Sequence, residues 1–198
     1  MKKILFSGIV AAAMLAACNS NEKSTTSETT VSSDTSSMAK MDTTPKVADT
    51  PAPPAFSDND FATQAAEGGM TEVKAGELAV KMGTAASVKS LGKMMVTDHT
   101  KAGNELKAIA AKNNITLPTA IPADKQQKLD ALATLKGADF DKAFVDMMEE
   151  GHTNTIALFM TEGAKGTNAD LKAFATKTLP TLNHHMEMVT SAKDAVNK

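Results

Sequence analysis

From Phe56 to the C-terminus, apolar side chains recur every three or four residues, and no stretch alternates β-branched and polar residues as a strand would. This spacing places the apolar side chains on one face of an α-helix. A segment of about 140 residues is long enough to bury one core. Residues 56–198 are therefore predicted to form a single all-α domain.

Glycines, prolines and capping residues divide this domain into four long helices and a short one. The first two are predicted to run from about 58 to 83 and, with Thr84 as N-cap, from 84 to about 113. A short extra helix over about 123–136 lies between helices two and three. Helix three is predicted from about 139 to 162, and helix four from about 169 to 196 with Pro180 inside it. Four long amphipathic helices joined by short turns predict a four-helix bundle.

Three of the four histidines fall on the apolar faces of their helices: His99 on helix two, His152 on helix three and His185 on helix four. On helix one, Glu72 lies on a stripe of small residues that should pack closely. A buried carboxylate is costly unless it is paired. Because all four residues fall near the middle of their helices, they are expected to meet in one layer.

One glutamate and three histidines in a bundle core predict a candidate metal site for copper, zinc or iron. The alternative is a buried hydrogen-bonded network that only fixes how the helices align. Secondary candidates are Met95 and Met148, each four residues before a histidine, together with Met188 and Glu149. Thioether and imidazole ligands suit Cu(I), whereas the competing interpretation is that methionine fills a core short of aromatic residues.

The N-terminal segment is predicted to direct export and lipidation. Residues 1–17 combine Lys2 and Lys3 with an apolar stretch too short to span a membrane, which is typical of a signal peptide. Leu15-Ala16-Ala17-Cys18 resembles the bacterial lipobox, in which the cysteine is acylated and becomes the mature N-terminus. The alternative is an ordinary cleaved signal with a chance cysteine. Asn19, rather than aspartate, resembles the outer-membrane sorting signal of enteric bacteria.

Residues 18–55 are rich in Ser, Thr and Pro and nearly free of large apolar side chains, which predicts a disordered tether between Cys18 and the domain. The chain has no arginine and a net charge of -2, so a nucleic-acid partner is not expected. The expected partner is the membrane, reached through the lipid. The protein is thus placed in the cell envelope, at the outer membrane facing the periplasm or the cell surface.

Several motifs resemble the bacterial family known as domain of unknown function 4142, a ferritin-like helical domain of exported proteins. They are the segments 72–79, 94–99, Phe140-Asp141 leading to His152, and 178–182 leading to His185. The resemblance implies a ferritin-like bundle but no agreed biochemical role. Among the Glu-x-x-His pairs that ferritin-like di-iron sites use, only Glu149 and His152 are present, which counts against that chemistry.

The sequence therefore predicts a lipid-anchored envelope protein, with no enzymatic role favoured, that binds a transition metal in its core and serves in metal handling or envelope stress. A structural or protein-interaction module with a buried polar core is the second hypothesis. A ferritin-like metalloenzyme is the third.

Overall fold

In a computed structural model, residues 56–198 are described, and they form five α-helices. The helices are α1 (Asp58–Met82), α2 (Ala86–Lys112), α3 (Ala123–Thr134), α4 (Gly137–Lys165) and α5 (Ala169–Val196). This confirms the all-α bundle with a short extra helix between helices two and three. The predicted signal peptide, Cys18 and the tether lie outside the described residues.

The four long helices are arranged as two hairpins. Helix α1 packs mainly along α2, and α4 packs along α5, while α1 also contacts α4 and α2 contacts α5. Each long helix thus has two long neighbours and faces a common interior. Helix α3 lies beside α1 and α4, and Lys125 and Lys128 on it form ion pairs with Glu67 (3.2 Å) and Glu150 (3.0 Å).

Two apolar clusters fill the interior, one toward each end of the bundle. The first contains Leu91, Met95, Phe144 and Val189, among others, and the second contains Phe61, Leu106, Phe159 and Leu182, among others. Along each long helix, one buried polar residue lies between the residues of the two clusters. These residues are Glu72, His99, His152 and His185, so their side chains form a polar layer between the clusters.

The helix hairpin of α1 and α2 depends on a close approach of two glycines. A Cβ at Gly76 would lie 2.7 Å from the Gly92 carbonyl oxygen, and a Cβ at Gly92 would lie 2.8 Å from the Gly76 carbonyl oxygen. Such distances are too short for any larger residue without movement of the backbone. The close contact between α1 and α2 is therefore at Gly76, which lies three residues before Ala79 and one turn after Glu72 in the sequence.

The N-terminus of α2 is capped differently from the prediction. The N-cap residue is Ala85, and the Thr84 side chain makes no capping bond to α2. Instead, the buried Asp141 carboxylate of α4 accepts hydrogen bonds from the backbone amides of Thr84 (2.9 Å) and Ala85 (2.8 Å) and from the Thr84 hydroxyl. A carboxylate from another helix therefore satisfies amides that a local cap would otherwise serve.

Within residues 56–198, none of the helices combines the length and the apolar character needed to cross a membrane.

Candidate metal centre

The four predicted inward residues meet in one cluster, each from a different long helix. Their exposed fractions are 4% for Glu72, 7% for His99, 0% for His152 and 1% for His185. Each lies on the same helical face as the apolar residues one turn away, so burying that face buries the polar residue as well. The cluster is therefore positioned by the core on both sides of it.

The three imidazole rings form a nearly regular triangle. The ring centroids of His99 and His152 are 5.5 Å apart, those of His99 and His185 are 5.1 Å apart, and those of His152 and His185 are 5.3 Å apart. One ring nitrogen of each histidine lies within 4.8 Å of one nitrogen of each other histidine. Such a group of nitrogens can surround a single ion.

Hydrogen bonds fix the tautomers of two rings. His152 Nδ1 lies 2.9 Å from the Met148 carbonyl oxygen, and His185 Nε2 lies 2.9 Å from Asp98 Oδ2. Carbonyl and carboxylate oxygens only accept, so both of these nitrogens carry the hydrogen. In neutral rings, His152 Nε2 and His185 Nδ1 then hold lone pairs.

These two lone-pair nitrogens face each other at 3.2 Å. Neither can donate while both rings are neutral, so only a shared proton or a metal ion makes this contact favourable. With bonds of about 2.0–2.1 Å to a tetrahedral metal, two ligand nitrogens lie about 3.3–3.4 Å apart. The spacing of the two nitrogens thus fits a common metal ion.

The third ring follows the same pattern. His99 Nδ1 lies 3.2 Å from Glu72 Oε2, while His99 Nε2 is buried and has no hydrogen-bond partner. Each histidine consequently has one nitrogen directed at an oxygen of the protein and one nitrogen left over. Oxygen acceptors behind metal-bound histidines commonly set the tautomer and raise the basicity of the ligand in this way.

Burial keeps the three rings in the form that binds metals. It lowers the pKa of His99 to about 4, and it also lowers the pKa values of His152 and His185. The nearby carboxylates of Glu72 and Asp98 oppose the shifts at His152 and His185 without reversing them. The imidazoles are therefore neutral near pH 7, and a neutral imidazole is what a metal requires.

Glu72 is the least satisfied group of the cluster. Both carboxylate oxygens are buried without a hydrogen bond of good geometry, although Oε1 lies 3.5 Å from His152 Nδ1. Burial raises the pKa of Glu72, and His152 and Lys125 only partly oppose this. A nearby cation would reduce the energetic cost of burying this carboxylate without hydrogen bonds.

The side chains of the four secondary candidates do not join the histidine cluster. Met95 and Met148 are buried in the first apolar cluster, and Met188 is partly buried against the same cluster. Glu149 is half exposed and forms an ion pair with Lys193 on the surface. Met148 takes part through its backbone, since its carbonyl accepts from His152.

Sequence reasoning gave no role to three acidic residues that the structure makes prominent. Asp98 binds His185, Asp141 caps α2, and Glu162 is buried near Asp58. Asp98 directly precedes His99, yet its partner comes from a helix 87 positions further along the chain. A helical pattern within one segment carries no signal for such a contact.

The protein is thus an all-α bundle that contains a buried layer of three histidines and one glutamate. The chain belongs to the family described as domain of unknown function DUF4142, whose profile matches residues 42–192. A prokaryotic membrane lipoprotein lipid attachment site matches residues 1–19. The chain is accordingly a lipoprotein with a DUF4142 domain, anchored in the cell envelope by its lipid.

Two solved structures share the fold. One is CopM in the Cu(I)-bound form, 14% identical, with a TM-score of 0.58 over 69% of this chain and 95% of that chain. The other is a DUF305 fragment from Deinococcus radiodurans, 12% identical, with a TM-score of 0.62 over 72% of this chain and 99% of that chain. At these identities the similarity extends to the fold alone. No curated protein matches the sequence.

Proposed function

We propose that this lipoprotein binds one transition-metal ion through His99, His152 and His185, and that it serves in metal handling or the response to stress in the envelope. The observation that carries the proposal is the pair of nitrogens that face each other at 3.2 Å while both outer nitrogens are bound to oxygen. The Glu72 carboxylate lies behind two of the rings, 3.2 Å from His99 Nδ1 and 3.5 Å from His152 Nδ1.

The unsatisfied atoms favour metal binding over a polar network that only aligns the helices. Glu72 Oε1, Glu72 Oε2 and His99 Nε2 are all buried without hydrogen bonds. A network retained for its hydrogen bonds should satisfy its members, because each unsatisfied buried group costs about 1–3 kcal/mol. A cation held by the three histidines would satisfy His99 Nε2, and the Glu72 carboxylate, which faces the Nδ1 atoms of His99 and His152, would balance part of its charge from behind the rings.

Copper and zinc are the first metals to test. Three imidazoles with one nearby carboxylate suit both, whereas ferritin-like di-iron sites use several carboxylates. The ion pair of Glu149 with Lys193 takes the one Glu-x-x-His glutamate away from the cluster. The Cu(I)-bound form of CopM, which shares the fold, gives copper priority in the experiment.

We further propose that the lipid on Cys18 holds the domain at the outer membrane, facing the periplasm or the cell surface. The attachment site at residues 1–19 supports acylation of this cysteine. Asn19 after Cys18, in place of aspartate, supports the outer membrane over the inner membrane.

Adjacent histidines on α5 provide a matched test of metal binding. His185 is 1% exposed in the cluster, whereas the His184 side chain is 59% exposed and lies 3.6 Å from Glu187. We would purify the full-length lipidated chain without an affinity tag in phospholipid nanodiscs. Copper and zinc content and melting temperature would then be compared for the parent, His185→Ala and His184→Ala.

The proposal predicts one ion per chain in the parent and in His184→Ala, and its loss in His185→Ala. A metal at a hundredfold excess over its dissociation constant should stabilise the parent by about 2.7 kcal/mol and His185→Ala far less. Equal stabilisation of both variants would contradict the site. Absence of any metal effect, with His185→Ala less stable by about 1–3 kcal/mol, would support the structural alternative.

A further inference from the structure

A cavity of about 410 Å³ lies between α1 and α2, beneath the connection that joins α2 to α3. Small residues of both helices leave this space: a Cβ at Gly69 or at Gly103 would meet nothing within 4 Å. Toward Gly76 and Gly92 the same two helices are in close contact. The helix pair is therefore tight at one end and separated at the other.

The cavity reaches the polar layer. Glu72 and His99 line it, and they are the two cluster residues that retain buried polar atoms without hydrogen-bond partners. Both side chains are more than nine-tenths buried. His152 and His185 do not line the cavity, so a molecule in this space would approach the cluster from the side of Glu72 and His99.

The walls away from this floor are mainly apolar. They include Leu106, Leu117, Phe159, Phe174 and Leu182. Ligand sites in proteins commonly combine a concave apolar space of this size with a few polar groups at one position. The cavity thus suits a compact molecule with an apolar body and one polar end.

We propose that this cavity binds a small organic ligand whose single uncharged nitrogen or oxygen donor coordinates the metal held by the three histidines. The inference rests on the proposed metal site. Three protein ligands leave a fourth position on a tetrahedral ion, and metal sites that act on other molecules keep that position open. The cavity brings such a ligand to His99, one of the three proposed metal ligands, and gives it an apolar surface to cover.

Copper and two imidazoles provide a direct test. The full-length chain in nanodiscs is loaded with Cu(II), which binds nitrogen donors more tightly than other divalent ions of its row. Unsubstituted imidazole or phenylimidazole is then titrated while the copper EPR spectrum is recorded, and dialysis verifies that copper stays bound. An added nitrogen ligand changes the copper hyperfine pattern.

Two leucine substitutions on α2 form a matched pair. Gly103→Leu fills the cavity, whereas Ser90→Leu adds the same side chain at an exposed position of the same helix outside the cavity. We expect phenylimidazole to bind the parent at least about tenfold more tightly than imidazole, because its phenyl ring is buried. Gly103→Leu should abolish this advantage and keep its copper, and Ser90→Leu should behave as the parent.

The outcomes separate the two proposals. Copper bound by all three proteins with no spectral change on adding phenylimidazole would overturn the ligand site and leave the metal site intact. Equal affinities for the two imidazoles, or an advantage that persists in Gly103→Leu, would also overturn it. Failure of the parent to bind either copper or zinc would overturn both proposals.

Discussion

His152 Nε2 and His185 Nδ1 face each other across 3.2 Å in the centre of the bundle, and the other nitrogen of each ring is hydrogen-bonded to an oxygen atom of the protein. In the neutral rings both facing nitrogens carry lone pairs, so a cation can bind between them. Burial lowers the pKa values of both rings, so a proton is a poor occupant near neutral pH. A metal ion binds the neutral form of imidazole, so the lowered pKa values do not oppose metal binding.

Asp98 should tune the metal site from outside it. Its carboxylate holds His185 Nε2 at 2.9 Å, and loss of such an outer partner typically weakens metal binding 10–100-fold. We expect Asp98→Asn to weaken copper or zinc binding by about tenfold, as measured by competition with a chelator. Asp146→Asn, at a side chain 64% exposed beside Lys193, should have no effect. Equal affinities of the two variants would contradict this role for Asp98.

Glu72→Gln should raise the stability of the metal-free protein and lower its affinity for metal. The glutamine removes a buried carboxylate whose pKa burial raises and whose oxygens lack hydrogen bonds. We expect the metal-free domain to gain on the order of 1 kcal/mol in the free energy of unfolding, and metal affinity to fall at least about tenfold. Denaturant titration and metal competition measure the two quantities.

Glu77→Gln, at an exposed side chain of α1 paired with Lys74, is the control for that experiment. A Glu72→Gln variant that is less stable without metal, and unchanged in metal affinity, would favour the structural interpretation of the layer.

Glu162 should make stability depend on pH. The side chain is fully buried, and burial together with the nearby Asp58 raises its pKa from 4.5 to about 7. Between these two values the folded protein keeps this proton while the unfolded chain releases it. Folding therefore takes up a proton, and this contribution to stability decreases as pH rises from 4.5 to about 7.

Glu162→Gln imitates the protonated form at every pH. We expect the variant to lose this pH dependence and to melt at a higher temperature than the parent at and above neutral pH, as followed by circular dichroism. Glu150→Gln, at an exposed side chain paired with Lys128, should keep the parent profile. Parallel profiles of the parent and Glu162→Gln would refute the assignment.

The lipid anchor is tested by Cys18→Ser. Cys18 is the single cysteine of the sequence, and it lies within the lipid attachment site at residues 1–19. We expect the variant to remain unprocessed or to appear in the soluble fraction, since no other residue can take its acyl chains. Membrane fractionation identical to that of the parent would exclude Cys18 as the anchor.

The sequence alone predicted the all-α bundle and the burial of Glu72, His99, His152 and His185. Helical periodicity is a local property, so a residue on an apolar face can be recognised from its neighbours three and four positions away. The same local pattern indicated that the four side chains lie at similar heights in the bundle. It also led to the wrong cap for α2, because Thr84 is a suitable local residue and its actual partner, Asp141, is distant.

Only the tertiary structure decided which atoms meet. The tautomers of His152 and His185 depend on a backbone carbonyl and on Asp98 of another helix. The space beside His99 depends on where α1 and α2 separate. These features follow from the rotation and spacing of helices that pack on one another, and helical periodicity specifies the buried face of each helix without specifying the partner that the face meets.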